Sequence, residues 1–172
     1  MKIRLLALPV TLTLVLVAAG SAFAQSRDPY FTDFSVNYDA VYHETGATSH
    51  AGLHFDIAST WIRHEPFIGP VGEFGFNHFD GGSVVSAMGG LRIRTNVDRR
   101  ILPFAQVLVG LYHCGVCGAN DFAVQGGGGV DFGRRDNAFR IRAQVDFRHV
   151  FDSFADFNGL RFSLGVVLPL NR

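Results

Sequence analysis

Polar and apolar residues alternate along most of the chain after about position 30, in stretches that turn residues separate. Eight stretches can be marked: Phe34–His43, Ala51–Ser59, Phe67–Phe79, Val84–Thr95, Leu102–Tyr112, Phe122–Phe132, Ala138–Val150 and Leu160–Leu168. A period of two is typical of β-strands. The connections are short and rich in Gly, Asn, Asp and Thr, so consecutive strands should be antiparallel neighbours. The pattern predicts an all-β protein, an eight-stranded antiparallel up-and-down barrel.

The seventh stretch shows the alternation most clearly. One face carries Arg140, Arg142, Gln144, Asp146 and Arg148. The other face carries Ile141, Ala143, Val145 and Phe147. Alternation alone does not say which face is inside, because a soluble barrel buries its apolar face and a membrane barrel does the reverse.

The cation composition favours a polar interior. After residue 24 the chain has no lysine, and its 13 cations are all arginines, set against 15 acidic residues. The planar guanidinium suits paired contacts with carboxylates in a crowded interior, whereas lysine suits a solvated surface. We therefore predict an ion-pair network in the lumen made of Glu73, Arg92, Arg94, Asp131, Arg140, Arg142, Asp146 and Arg161. Side chains fill the interior of a barrel of this size, so the lumen should be packed and not an open pore.

Aromatic residues gather near the ends of the predicted strands. At one end lie Tyr42, Phe79, Tyr112, Phe122 and Phe151. Near the other end lie Phe34, Trp61, Phe67, Phe104, Phe132, Phe139 and Phe162. Two aromatic girdles are typical of the two membrane–water interfaces. The polar face is therefore predicted to point inward, and the barrel to cross a membrane.

Residues 1–24 read as a signal peptide. Lys2 and Arg4 precede an apolar run from Leu5 to Val17, and Ala22-Phe23-Ala24 supplies small residues for cleavage before Gln25. The apolar run is shorter than the ~20 residues of a membrane-spanning helix. We expect residues 25–172 to form the barrel domain after export.

The stretches Pro103–Gly110 and Leu160–Val167 resemble strands of the small outer-membrane barrels of Gram-negative bacteria: the OmpA transmembrane domain, OmpX and the opacity-like barrels. The resemblance covers residues 25–172. It implies an outer-membrane location and a structural or surface-interaction role, without catalysis or cofactor. It also implies contact with outer-membrane lipid and lipopolysaccharide. The zero formal charge offers no basic face for nucleic acid.

Cys114 and Cys117 form a Cys-x-x-Cys pair next to His113. In an oxidising compartment such a pair most simply closes a small disulfide. A redox-active pair would need a helix N-terminus, and none is predicted nearby. A metal site would lack a clear fourth ligand. The disulfide is the favoured interpretation.

With the N-terminus in the periplasm, the connections after the first, third, fifth and seventh stretches face outward. Histidines collect at these outward ends of the strands, beside acidic residues. The metal-binding candidates are His43, His50, His78 and His113. Such a ring could hold a divalent cation at the outer loops. The simpler interpretation, which we favour, is that histidine is an amphipathic residue suited to an interface.

Two further function classes stay open. The first is an outer-leaflet lipid A deacylase, for which His149, Asp152 and Ser153 are close in sequence at the outward end. The second is a soluble periplasmic lipid-binding barrel, which would need an apolar cavity and a solvated arginine face. The absence of lysine after residue 24 argues against the second class.

Overall fold

The computed structural model describes residues 32–44, 46, 48–62, 66–79, 82–95, 100–116, 118–133, 138–152 and 156–170. It contains strands β1 (Thr32–His43), β2 (Thr48–Ser59), β3 (Phe67–Phe79), β4 (Gly82–Arg94), β5 (Ile101–Cys114), β6 (Ala119–Phe132), β7 (Arg140–Phe151) and β8 (Phe157–Pro169). Each strand pairs antiparallel with the next, and β8 pairs with β1 to close the barrel. The predicted eight-stranded meander is confirmed. The predicted signal peptide lies outside the described residues and stays a prediction.

Strand ends differ from the predicted ends mainly on the outward side. β6 begins at Ala119 instead of Phe122, and β8 begins at Phe157 instead of Leu160. β7 begins two residues later than predicted, at Arg140. The ladder continues through polar pairs such as His113 and Asn120, because backbone hydrogen bonds define a strand end and do not require apolar side chains.

The distribution of polarity is that of a transmembrane barrel. The largest fully buried side chains are arginines of the lumen, headed by Arg92, Arg140 and Arg142. Large apolar side chains point outward, as in Val107, 61% exposed, and Leu164, 62% exposed. This arrangement contradicts the soluble lipid-binding barrel, which would bury its apolar face. No helix among the described residues is long and apolar enough to cross a bilayer.

Three aromatic residues assigned to the girdles lie in the lumen instead. Phe104 and Tyr112 are 6% and 5% exposed, and Phe79 packs against the buried cluster. Arg92 and Arg142 explain the place of Phe104, because their guanidinium carbons lie 4.7 and 4.6 Å from its ring centroid. Cation–π contact thus holds an aromatic ring inside a charged lumen.

Several other aromatics fit the predicted girdles. Phe162 does not: it was predicted at the opposite end, but its ring centroid lies 6.0 Å from that of Tyr42, on the outward side. Tyr42, Phe122 and Phe151 are exposed near the outward end. Trp61 and Phe139 are exposed near the opposite end. These rings lie where the two membrane–water interfaces favour amphipathic and aromatic side chains.

Candidate functional site

The centre of the lumen is an arginine–carboxylate network that joins strands far apart in sequence. Arg142 donates from Nε to Asp131 and from Nη1 to Asp56, both at 2.7 Å. Arg92 donates from Nη1 to Asp56 at 3.0 Å. Its Nε and Nη2 both donate to Gln106 Oε1, at 2.9 and 2.6 Å. Asp56 therefore connects arginines of β4 and β7 across the interior.

A second group lies nearer the outward end. Arg161 donates from Nη1 and Nη2 to the two carboxylate oxygens of Glu73, each at 2.7 Å, and from Nη2 to Asp146 at 2.7 Å. Arg148 donates from Nε and Nη2 to Gln125 Oε1 at 2.9 and 2.6 Å, and its Nη2 lies 3.4 Å from Glu73. The paired geometry between Arg161 and Glu73 is the bidentate contact that guanidinium favours.

A third group lies at the opposite end of the lumen. Asp33 accepts hydrogen bonds from Arg94 and Arg140, which stand on β4 and β7. All three side chains are buried. The network therefore extends along the lumen from this end to Arg161.

The structure brings the eight predicted lumen residues into one interior, but with partly different partners. Glu73 and Asp146 pair with Arg161, and Asp131 pairs with Arg142. Both residues of each of these pairs were predicted. The remaining predicted arginines pair with carboxylates that sequence reasoning missed. Arg92 pairs with Asp56, and both Arg94 and Arg140 pair with Asp33. Two residues left out of the predicted network could have been found from parity. Asp56 falls on the polar face of the second stretch, and Arg148, which contacts Glu73, falls on that of the seventh.

An aromatic cluster closes the outward mouth of the lumen. The ring centroid of His43 lies 5.0 Å from that of Phe79 and 5.1 Å from that of Phe157. Tyr112 and Phe157 are 5.6 Å apart. The cavity beneath these rings has a volume of about 10 Å³, which is close to the room of a single water molecule. Among the described residues, the mouth is therefore sealed by side chains.

The other predicted metal ligands are held in local pairs. His78 Nδ1 lies 3.1 Å from Ser83 Oγ, and His113 Nδ1 lies 2.9 Å from Asn120 Oδ1. The side chain of His50 lies outside the described residues. No group of three or more histidine, cysteine, aspartate or glutamate side chains in the described part of the chain could hold a metal ion. The geometry therefore offers the metal interpretation no support.

Cys114 is disulfide-bonded. Cys117, its predicted partner, lies outside the described residues.

A polar relay lies on the outward rim, on the outer side of the barrel wall. His149 Nδ1 donates to Asn158 Oδ1 at 2.8 Å. Asn158 in turn donates from its backbone N and from Nδ2 to the Glu44 carboxylate, at 3.0 and 2.8 Å. These two hydrogen bonds lower the pKa of Glu44, with the side-chain bond as the larger cause. His149 Nε2 lies 3.9 Å from Asp156, and Ser153 is outside the described residues.

No family model matches the chain, and no curated protein matches it by sequence. Among solved structures, the Neisserial surface protein A is similar over 85% of this chain and 100% of its own, with a TM-score of 0.58 and 9% identity. The outer membrane enzyme PagL is similar over 79% of this chain and 99% of its own, with a TM-score of 0.59 and 13% identity. Similarity at this identity is a likeness of fold and carries no role. The closed meander, the charged interior and the apolar exterior give this chain the fold of the small eight-stranded outer-membrane β-barrels.

Proposed function

We propose that this protein resides in the bacterial outer membrane after cleavage of residues 1–24, and that it has a structural or surface-interaction role without catalysis or an open pore. The observation that carries the proposal is the lumen: buried arginine–carboxylate pairs cross it, and an aromatic cluster caps it. A passage for solutes would need both features to be displaced.

The physical barrier to opening is large. Arg142 alone contacts Asp131 and Asp56, and all three side chains are buried. Removing one partner from such a pair costs about 3–5 kcal/mol, because the other charge is left unpaired in a poor solvent. Opening a path would break several of these contacts together. The packed lumen therefore supports a closed barrel.

Outer-membrane lipid and lipopolysaccharide are the proposed partners. The exterior is apolar over the height of the strands, which suits acyl chains. On the outward rim, Glu44 and Asp156 are exposed carboxylates. Divalent cations prefer carboxylate and phosphate oxygens, so they could bridge this rim to lipopolysaccharide phosphates.

Fractionation and conductance test the proposal. We expect the protein in the outer-membrane fraction, with a gel mobility that shifts on boiling because the closed barrel stays folded in cold detergent. In planar bilayers we expect no stable channel. Recovery in the soluble periplasm, or steady channels from the purified unmodified protein, would refute the proposal.

The role of the acidic rim has its own measurement. Binding of lipopolysaccharide to the detergent-folded protein should require Mg²⁺ and be lost on chelation. The double change Glu44→Gln and Asp156→Asn should weaken the Mg²⁺-dependent binding several-fold. Arg100→Gln, an exposed change at the opposite end, serves as the control.

A second candidate is hydrolysis of an acyl ester in the outer leaflet. One observation favours it: His149 is oriented through Nδ1 by Asn158, and Glu44 holds Asn158 in place. With Nδ1 donating to Asn158, Nε2 carries the lone pair that a general base needs, and the Asp156 carboxylate lies 3.9 Å from it. Ser153 is the nucleophile that the sequence suggests, and it lies outside the described residues.

Mass spectrometry of lipid A from expressing cells decides this candidate. Loss of one acyl chain, abolished by both His149→Gln and Ser153→Ala, would establish the hydrolase. His78→Gln is the control, since His78 is a rim histidine outside the relay. Unchanged lipid A in cells with folded protein would eliminate it.

A further inference from the structure

An open groove crosses the lipid-facing wall of the barrel on the side formed by β7, β8 and β1. Its volume is about 430 Å³, within the ~300–1,000 Å³ of most small-molecule sites. Apart from the hydroxyl of a tyrosine, its outward-facing side chains offer only apolar contact, which suits a hydrocarbon chain. Strand register places them in two adjacent rows: Val145, Phe162 and Ala40 in one, and Ala143, Leu164 and Tyr38 in the next.

Small residues make room for the groove, and large residues wall it. Ala40 lies opposite Phe162, and Ala143 lies opposite Leu164. The Phe162 ring is in edge-on contact with Tyr42, with 6.0 Å between the ring centroids. An aromatic pair therefore supports one wall of the groove, and each alanine leaves space that a larger side chain would fill.

The polar relay of the outward rim stands on the same strands as the groove. His149 belongs to β7 and Asn158 to β8, and Glu44 follows β1. Along β7, Val145 is four residues from His149, which corresponds to about 13 Å of strand. The exposed Phe147 ring lies between them on the same face. A molecule with a polar group at the relay and a hydrocarbon chain longer than this distance therefore reaches the groove.

The relay determines which polar group it can recognise. Asn158 Nδ2 donates to the Glu44 carboxylate, which fixes Asn158 Oδ1 as an acceptor. His149 Nδ1 therefore donates to this oxygen, and in the neutral ring Nε2 carries a lone pair. This lone pair accepts a hydrogen bond from an N–H or O–H group of a ligand. The amide and hydroxyacyl linkages of lipid A supply such donors, whereas the ester linkages of a glycerophospholipid do not.

We propose that the groove holds one acyl chain of lipopolysaccharide, with the amide or hydroxyl group of its linkage beside His149 Nε2. The inference rests on the proposed outer-membrane location, and it names the part of lipopolysaccharide that this wall binds. The exposed carboxylates of Glu44 and Asp156 fit the same lipid, because divalent cations bridge carboxylates to its phosphates. The headgroup and the acyl chain are then held by separate parts of one surface.

Native mass spectrometry of the detergent-folded protein provides the test, with lipid A and phosphatidic acid of equal chain length as probes in the presence of Mg²⁺. We expect one lipid A per protein, bound at least tenfold more tightly than phosphatidic acid. Ala143→Phe fills the groove and should weaken lipid A binding at least fivefold. Ala87→Phe, the same change at an exposed position of β4, should leave the affinity unchanged. Gel mobility before and after boiling checks that both variants fold.

Equal lipid A affinities of Ala143→Phe and Ala87→Phe would overturn the groove, as would equal wild-type affinities for lipid A and phosphatidic acid. A protein dimer that Ala143→Phe abolishes, with no lipid retained, would assign the groove to a second copy and refute the lipid. Failure of the proposed function looks different, because the wild type would then be recovered in the soluble periplasm without a gel shift. The acidic rim is also separable, since Ala143→Phe should keep the Mg²⁺ requirement of the remaining binding.

Wild-type outer membranes give a second measurement that needs no variant. Lipid A with a photoreactive diazirine in one acyl chain is crosslinked to the protein, and the labelled peptides are identified. Label concentrated on β7 and β8, at residues 143–145 and 162–164, supports the groove. Label spread evenly over the outward faces of all eight strands refutes it.

Discussion

At the residue scale, the lumen depends on guanidinium groups that each bind two strands or more. Arg142 stands on β7 and bonds to Asp131 on β6 and Asp56 on β2. Arg161 on β8 bonds to Glu73 on β3. Lysine could not make these paired contacts, because an ammonium is a point charge without a planar fork. The pairing explains why arginine replaces lysine in the barrel sequence.

Arg142→Met should lower the free energy of unfolding by about 3–5 kcal/mol, because Asp131 and Asp56 would lose a buried partner. Urea unfolding of the protein in lipid vesicles measures this change. Arg100→Met, at an exposed position, should change stability by less than about 0.5 kcal/mol. Similar effects of the two changes would show that Arg142 is not a structural centre.

The rim relay predicts a dependence on pH. The pKa of Glu44 is lowered by the hydrogen bonds from Asn158, so the folded state favours the ionised carboxylate. The resulting stabilisation is present above the unfolded-state pKa of glutamate, ~4.3, and is lost as the pH falls through the lower folded-state value. The unfolding midpoint of the wild type should therefore drop in acid more steeply than that of Glu44→Gln. Parallel curves for the two proteins would contradict this role.

At the element scale, β6 is shaped by its run of four glycines. Gly127 faces crowded backbone, since an ideal Cβ there would lie 2.4 Å from the carbonyl oxygen of Val145 and 2.2 Å from Asp146 Oδ1. Gly126 differs, because a Cβ at that position would meet nothing within 4 Å. The run allows β6 and β7 to approach while a charged side chain of β7 occupies the lumen.

The two glycines form a matched pair for mutation. Gly127→Ala should destabilise the barrel by about 1–3 kcal/mol, because backbone and Asp146 must move. Gly126→Ala should change stability by less than about 0.5 kcal/mol. Urea unfolding in vesicles compares them directly. Equal losses at the two positions would mean that crowding at Gly127 does not decide the cost at this strand.

At the scale of the whole molecule, strand pairing closes the barrel wall, and side chains close the lumen. Hydrogen bonds between β1 and β8 remove every free strand edge, which a bilayer requires of a spanning sheet. Side chains then fill the lumen. Along most of the strand length, the large side chains that face the exterior are apolar. The molecule is therefore organised for lipid outside and ion pairing inside.

Arginine scanning of the exterior tests this orientation. Val107→Arg, near the middle of β5, should cost about 2–4 kcal/mol in a bilayer, whereas Ile101→Arg at the strand end should cost about 0–1 kcal/mol. The depth profile is measured by unfolding in vesicles. Equal small costs at both positions would mean that the exterior faces water.

Alternating polarity predicts the strands and their inward faces, but it is a poor guide where both faces of a strand are apolar. In β7, charged residues mark the lumen side, so Arg140, Arg142 and Asp146 could be placed from parity. In β5, Phe104 and Tyr112 lie inward while Val107 lies outward. Parity separates them, but both faces are largely apolar, so polarity alone gives little sign of which face points inward. Charge is informative because burying it unpaired is expensive, whereas an apolar residue is tolerated on either side of this wall.

The sequence by itself determined the number of strands, their antiparallel order and the polar interior, because period two and the absence of lysine are local properties of the barrel segment. Only the tertiary structure decided the partners. Asp33 meets Arg94 and Arg140 from 61 and 107 residues away. The aromatic closure of the mouth likewise depends on register between strands. Barrel closure sets these contacts, and no local pattern records them.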